Sequence, residues 1–101
     1  HAERTFLAQW RDSNDSDLVR IGQAWHQQDF HALGELAHRL KGPARLVDYP
    51  AFIEACEAVE QADESGSHQA MTDGVSRLQQ GVLTLNEEIR ARLAALDRTD
   101  N

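Results

Sequence analysis

Apolar residues recur along the chain at three- and four-residue steps, the spacing of one helix face, and no segment alternates cleanly with period two. The first such stretch is short: Glu3 to Trp10, with Phe6, Leu7 and Trp10 at helical spacing. It runs into Asp12-Ser13-Asn14-Asp15, residues whose side chains compete for the backbone and favour turns and caps. A break is therefore expected there. Ser16 or Asp15 reads as the N-cap of a second helix, 16–28, with Asp17 complementing its dipole and Leu18, Ile21 and Trp25 on one face. Asp29 caps a third, 30–47, on which Leu33, Leu36 or Ala37, Leu40, Ala44 and Val47 form one stripe. Asp48-Tyr49-Pro50 combines a carboxylate near a cap with proline at a first helical position, and opens a helix over 50–64 that buries Phe52, Ile53, Cys56 and Val59. Beyond the loop signal Asp63-Glu64-Ser65-Gly66-Ser67, the last helix, 68–96, carries Met71, Val75, Leu78, Val82, Leu85, Ile89, Leu93 and Leu96. At ~1.5 Å per residue it is on the order of 40 Å long, so its C-terminal half is expected to pack on the short first helix. The tail Arg98 to Asn101 is expected to fray. Connections this short make consecutive helices antiparallel neighbours. The expected fold is all-α, an antiparallel up-down-up-down four-helix bundle with a short additional N-terminal helix, in one domain over 1–101.

Composition acts mainly by exclusion. A chain of 101 residues holds one core, not two. A net charge of −7 argues against nucleic acid and against an anionic membrane surface as partner. No apolar run approaches the ~18–20 residues of a membrane span. The single cysteine removes an internal disulfide framework and any Cys-based zinc site, and Cys56 reads as a small buried hydrophobe. Trp10 and Trp25 read as core or end-cap aromatics, and His26, His31 and His68 as surface residues. HAERTFLAQW lacks the apolar stretch of a secretory signal, and His1 in place of an initiator methionine suggests a piece excised from a longer chain.

One segment departs from plain amphipathic helix: Ala37-His38-Arg39-Leu40-Lys41-Gly42-Pro43-Ala44-Arg45-Leu46. Relative to the inward stripe, His38 lies about a hundred degrees away and should reach solvent. Gly34, Lys41 and Gly42 stand three or four residues from it, on one expected surface patch. Glycine inside a helix costs ~1 kcal/mol relative to alanine, and proline removes a backbone hydrogen bond. The apolar phase nevertheless continues from Leu40 through Ala44 and Val47, so a continuous, kinked helix is expected rather than a break at Gly42-Pro43. An exposed histidine titrates near ~6.5, leaving much of it an unprotonated nucleophile near neutral pH. Attack by Nε2 on a phosphoryl group would use Lys41 to meet the developing oxygen charge, while Gly34 and Gly42 cleared the approach for a bulky donor. The chain has no nucleotide-binding loop or Ser–His–Asp set, so the phosphoryl group must arrive on another protein.

His38-Arg39-Leu40-Lys41-Gly42 matches the H-x-x-K-G signature of the histidine-containing phosphotransfer (Hpt) domain, and Cys56-Glu57-Ala58-Val59-Glu60 resembles the family's second helix segment. The similarity extends over nearly the whole chain. It is strongest to C-terminal Hpt modules of bacterial unorthodox hybrid sensor kinases, of the BvgS-like type. The resemblance implies a cytoplasmic, monomeric module of an inner-membrane sensor kinase. In it, His38 would take a phosphoryl group on Nε2 from a receiver-domain aspartate and pass it to a response-regulator aspartate. Lys41 would assist electrostatically, Gly42 would give clearance, and Glu60, at a position often Gln or Glu, would accept the Nδ1 proton and orient the ring. Arg45 would add a second cation, and His31 and Glu35 would border the docking face. No intrinsic cofactor is implied; Mg²⁺ would come with the receiver. Pro43, Arg45 and Asp48 depart from the smaller residues frequent in the family.

Two rival readings use the same residues. Glu35-x-x-His38, with His31 one turn earlier, has the spacing of di-iron bundle ligands. That chemistry needs a second Glu-x-x-His on another helix plus inward glutamates, but Glu35–His38 is the only instance and its face is expected to look outward, whereas such ligands line the core. Alternatively the chain is a helical adaptor, in which His38 and Lys41 are ordinary surface residues; the flanking glycines weigh against it.

Overall fold

The computed structural model describes residues 2–46 and 48–99. It contains four helices: α1 (Ala2–His26), α2 (Phe30–Leu46), α3 (Pro50–Ser65) and α4 (His68–Thr99). The expected inward Val47 and the end of the expected frayed tail, Asp100 and Asn101, lie outside the described residues. Arg98 and Thr99 continue α4 rather than fraying.

The largest correction is at the N-terminus. There is no separate short helix over 3–10 and no cap at Asp15 or Ser16; α1 runs unbroken through Asp12-Ser13-Asn14-Asp15. The reason lies in which side chains turn inward. Trp10, Asn14, Asp17, Ile21 and Ala24 are buried and fall on one helical stripe. Asn14 Nδ2 donates to Asn86 Oδ1 at 3.0 Å, and Asn86 Nδ2 donates to Asp15 Oδ1 at 2.9 Å. Asp17 is held by Arg39 of α2 and lies 3.5 Å from Arg20. Polar side chains that would otherwise compete for their own backbone thus have partners across the bundle, and α4 backs the helix along its length.

The other boundaries follow local chemistry. Asp29 Oδ1 accepts from the Ala32 N–H at 3.1 Å, capping α2 as expected. Pro50 occupies the first turn of α3, although the N-cap itself is Tyr49, whose side chain makes no capping bond. Gly66 closes α3 in the left-handed conformation (φ 71°), its N–H bonded to the Ala62 carbonyl. Ser67 Oγ then accepts from the Ala70 N–H at 3.2 Å and starts α4. Pro43 lies inside α2, which stays helical to Leu46. A residue before proline is normally pushed out of the α region by its own Cβ; Gly42 has none, so the helix passes through.

Helix α1 packs on α2 and α4, and α3 packs on the same two. Glu3 meets Arg92 and Asn14 meets Asn86; Trp25 stacks on Phe30 while Asp17 reaches Arg39. His31 meets Asp63 and His38 meets Glu60, while Phe52 abuts Gly81 and Val59 abuts Gly74. In every pair, numbers rise on one helix as they fall on the other, so all neighbours are antiparallel. The main core gathers Ile21, Leu33, Ala37, Phe52, Val59, Met71 and Leu78 around the four-helix section. Helices α1 and α4, 25 and 32 residues long, outrun α2 and α3, at 17 and 16. Their overhang closes on a second cluster of Trp10, Leu85, Ile89 and Leu93, giving a molecule 52 Å long and 24 Å across. The expected contact between the C-terminal half of the last helix and the N-terminal stretch is present. Among the described residues, no helix is long and apolar enough to cross a membrane.

Candidate functional site

Helix α2 buries Leu33, Leu36, Ala37, Leu40 and Ala44 and turns its other face to solvent. That phase brings His38 out of the bundle: 75% of its side chain is exposed. The ring is not loose, because Nδ1 lies 3.0 Å from Glu60 Oε2 on α3. The second oxygen of that carboxylate, Oε1, lies 2.7 Å from Lys41 Nζ. Helix α2 therefore supplies the imidazole and the ammonium one turn apart, and α3 supplies the carboxylate between them.

The exposures are graded. Glu60 retains 25% and Lys41 only 12%, so the imidazole stands outermost and the cation is tucked against the α2–α3 seam. Burial pushes the Glu60 carboxyl upward, but hydrogen bonding and charge from Lys41 and His38 outweigh it and leave the group below its ordinary 4.5. It is an anion, able only to accept, so the hydrogen bond at His38 puts the imidazole proton on Nδ1 and leaves the Nε2 lone pair free. Beneath the site, Cys56 is fully buried one turn before Glu60. Burial, and then the Glu60 charge, push its thiol up to about 12, making it an inert packing group.

The two glycines separate. Gly42 is exposed, and a Cβ built there would meet no atom of the described residues within 4 Å. Gly34 is buried, a correction to its expected place on the open patch. A Cβ at Gly34 would lie 2.7 Å from Asp63 Oδ2, so the missing side chain makes room for a carboxylate of α3 rather than for an outside body. No spacing along the chain signalled this, since Asp63 reads locally as one more solvated acid. His31 and Glu35 are exposed and pair with each other at 2.8 Å, with His31 Nδ1 3.5 Å from Asp63. Arg45 is exposed on the turn after Lys41. Lys41 is the chain's only lysine, and its pairing with Glu60 across two helices was also not legible from spacing. Among the described residues, no three His, Cys, Asp or Glu side chains converge to hold a metal ion. Glu35 and His38 both point outward, opposite to what ligands inside a bundle require.

An exposed imidazole whose Nδ1 faces an anionic carboxylate, on a four-helix bundle, is the arrangement expected of a phosphoryl carrier, and the family comparison agrees: the Hpt domain family matches residues 5–99. The chain is an Hpt domain. Comparison with curated proteins and with solved structures returns no match. As an Hpt domain it is a histidine phosphotransfer intermediate of a phosphorelay, and Hpt domains exchange phosphoryl groups with receiver domains.

Proposed function

We propose that His38 is the phosphoryl-carrying residue of this Hpt domain, loaded on Nε2 by a receiver-domain aspartyl phosphate and discharged to the aspartate of a second receiver. The observation that carries this reading is the exposed His38 ring with Nδ1 held 3.0 Å from Glu60. In loading, the Nε2 lone pair forms the N–P bond as the P–O bond to the donor aspartate breaks, and the donor carboxylate is released. Positive charge gathered by the ring is shared through the Nδ1 proton with Glu60. In discharge, the acceptor carboxylate attacks phosphorus and the N–P bond breaks, returning the lone pair to Nε2. Survival of phosphohistidine between encounters requires that no base deliver water to phosphorus. Glu35, the acid nearest His38 on α2, has its carboxylate engaged by His31 at 2.8 Å.

Gly42 supports a bulky protein donor. A helical glycine is unfavourable, and among the described residues no side chain packs into the space it leaves. Arg45, His31 and Glu35 border the same exposed face, where they meet the docked receiver. The Mg²⁺ that assists transfer is the receiver's, held by its acids and neutralising charge on phosphorus-bound oxygens. The domain acts as a monomer, as a cytoplasmic module of an inner-membrane hybrid sensor kinase, and its partners are that kinase's receiver and a response regulator. Resemblance to the C-terminal Hpt modules of such kinases supports this origin.

Incubation with phosphorylated receivers, followed by acid and base treatment, tests the assignment. Acid-labile, base-stable label is expected on the wild-type chain and none on His38→Gln. Label retained by the folded glutamine variant assigns the carrier elsewhere.

A further inference from the structure

An apolar patch lies away from His38, where the two long helices outrun the two short ones. Helix α2 stops at Leu46 and α3 starts at Pro50, while α1 and α4 run on side by side. Past that turn the α1–α4 pair keeps the inner face of a bundle without two further helices to cover it. Tyr49 covers part of it, and a cleft of about 360 Å³ is left, walled by Leu7, Trp10, Tyr49 and Ile89. Two exposed large hydrophobics adjoin this cleft. Leu46 is 81% exposed and stands two residues before Asp48 on the rim; Phe6 is 49% exposed, with its ring 5.7 Å from that of Trp10. The rim also carries Glu88 and Arg92. Arg92 is engaged by Glu3 at 2.9 Å, whereas Asp48 and Glu88 are exposed and make no ion pair among the described residues.

We infer that this cleft docks a basic amphipathic helix of a partner protein, which sets one large apolar side chain against Trp10 and Tyr49 and its lysines or arginines against Asp48 and Glu88. The helical form follows from the surroundings. The space beyond Leu46 is where a third bundle helix would lie against α1 and α4, whose side-chain rows form the groove it packs into. Along α4 the cleft runs from Leu85 to Arg92, about 10 Å or two helical turns, so one anchor residue and its neighbours a turn away fill it. The basic flanks follow from charge. Two rim acids are available, the rim arginine is already paired, and the net charge of −7 draws cations from a distance. Without those acids an apolar cleft would accept a helix of either sign. The cleft lies beyond Leu46, itself about 12 Å along α2 from His38, so an occupant holds the domain while leaving the imidazole uncovered. The inference does not depend on which residue carries the phosphoryl group.

The probe is a synthetic helical peptide of about twelve residues, ~18 Å long, with phenylalanine and leucine on one face and lysines on its flanks. Titration into the ¹⁵N-labelled protein is followed by NMR at the indole N–H of Trp10. That of Trp25, packed on Phe30 at the α1–α2 turn, serves as internal reference. Saturable shifts at Trp10 and not at Trp25 are expected. Alanine in place of the peptide's phenylalanine is expected to weaken binding about tenfold, and glutamate in place of its lysines to abolish it. Asp48→Asn with Glu88→Gln is expected to weaken the lysine peptide roughly threefold. Glu54→Gln with Glu57→Gln, which removes equal charge from the exposed face of α3, is expected to leave binding unchanged. Asparagine tolerates the left-handed backbone of Asp48 (φ 52°), so the fold is kept. Equal binding of the lysine and glutamate peptides, equal losses in the two pairs of variants, or no saturable shift at Trp10 overturns the inference. So does a Trp10 shift on concentrating the protein alone, which assigns the cleft to a second copy. Receiver-dependent labelling of His38 is a separate measurement, and neither result decides the other.

Discussion

Among the polar contacts that cross the helix seams of this bundle, two constellations are built for opposite ends. One joins α1 to its neighbours: Asn14, Asn86 and Asp15 between α1 and α4, and Asp17 with Arg39 between α1 and α2. Asn14, Asp17 and Asn86 are buried to within a few per cent. The other joins α2 to α3 through His38, Glu60 and Lys41, and its key member is three-quarters exposed. Both pin a side chain through polar partners on a neighbouring helix. In the buried set every member is fixed, so the register of a long helix pair is specified. In the surface set Nε2 has no hydrogen bond or ion pair among the described residues, and that is where chemistry can enter. The same hydrogen-bonding rules give architecture when satisfaction is complete and reactivity when one valence is kept open.

The contrast breaks most visibly at Asn86. Asn86→Leu leaves the buried Asn14 amide without its partner, at a cost of about 1–3 kcal/mol. For a domain of this size each kcal/mol corresponds to a Tm loss of roughly 4–8 °C, measurable by thermal unfolding. The Asn14→Leu/Asn86→Leu pair is expected to recover much of that loss, because no buried group is then orphaned. Label at His38 should persist in both wherever the protein is folded. Arg39→Ala is expected to cost about 1–2 kcal/mol in urea unfolding, less than a fully buried pair, because Arg20 remains 3.5 Å from Asp17. His38→Ala is expected to change stability by no more than about 0.5 kcal/mol, since its ring is largely in water. A large loss there would show the imidazole to be a packing group.

Gly42 sharpens the comparison at the surface set. Relief of the clash with Pro43 is one physical reason for a glycine here; the proposed docking of a partner adds a second, clearance. In a Pro43→Ala background the first disappears. Gly42→Gln made in that background should fold with unchanged helicity by circular dichroism and still lose receiver-dependent transfer. Normal transfer would leave Pro43 as the whole reason for the glycine.

The smallest effect is on acid stability. Glu60 has its folded pKa depressed, so it contributes stability present above the unfolded pKa and lost as pH falls through the folded value. Wild type and Glu60→Gln should therefore diverge above about 4.5 and converge below it, as read by urea unfolding across pH. A constant difference over that range would show that the charge of Glu60 does not matter to the fold.

Much of this was legible along the chain. The inward stripe of α2 already carried His38 to the outside, the phase across Gly42-Pro43 already argued for a continuous helix, and Asp29, Pro50 and Gly66 marked boundaries that local dihedral and capping chemistry determine. These are statements about a residue and its own turn, and one dimension suffices for them. The joining of the first two expected helices, the burial of Gly34 against Asp63, and the pairing of Lys41 with Glu60 were decided only by the folded arrangement. Each depends on a partner 19 to 72 positions away in the chain. Asp12-Ser13-Asn14-Asp15 breaks a helix in isolation, because its side chains then turn on their own backbone. Placed beside Asn86, Asn14 and Asp15 have better partners, and the helix continues.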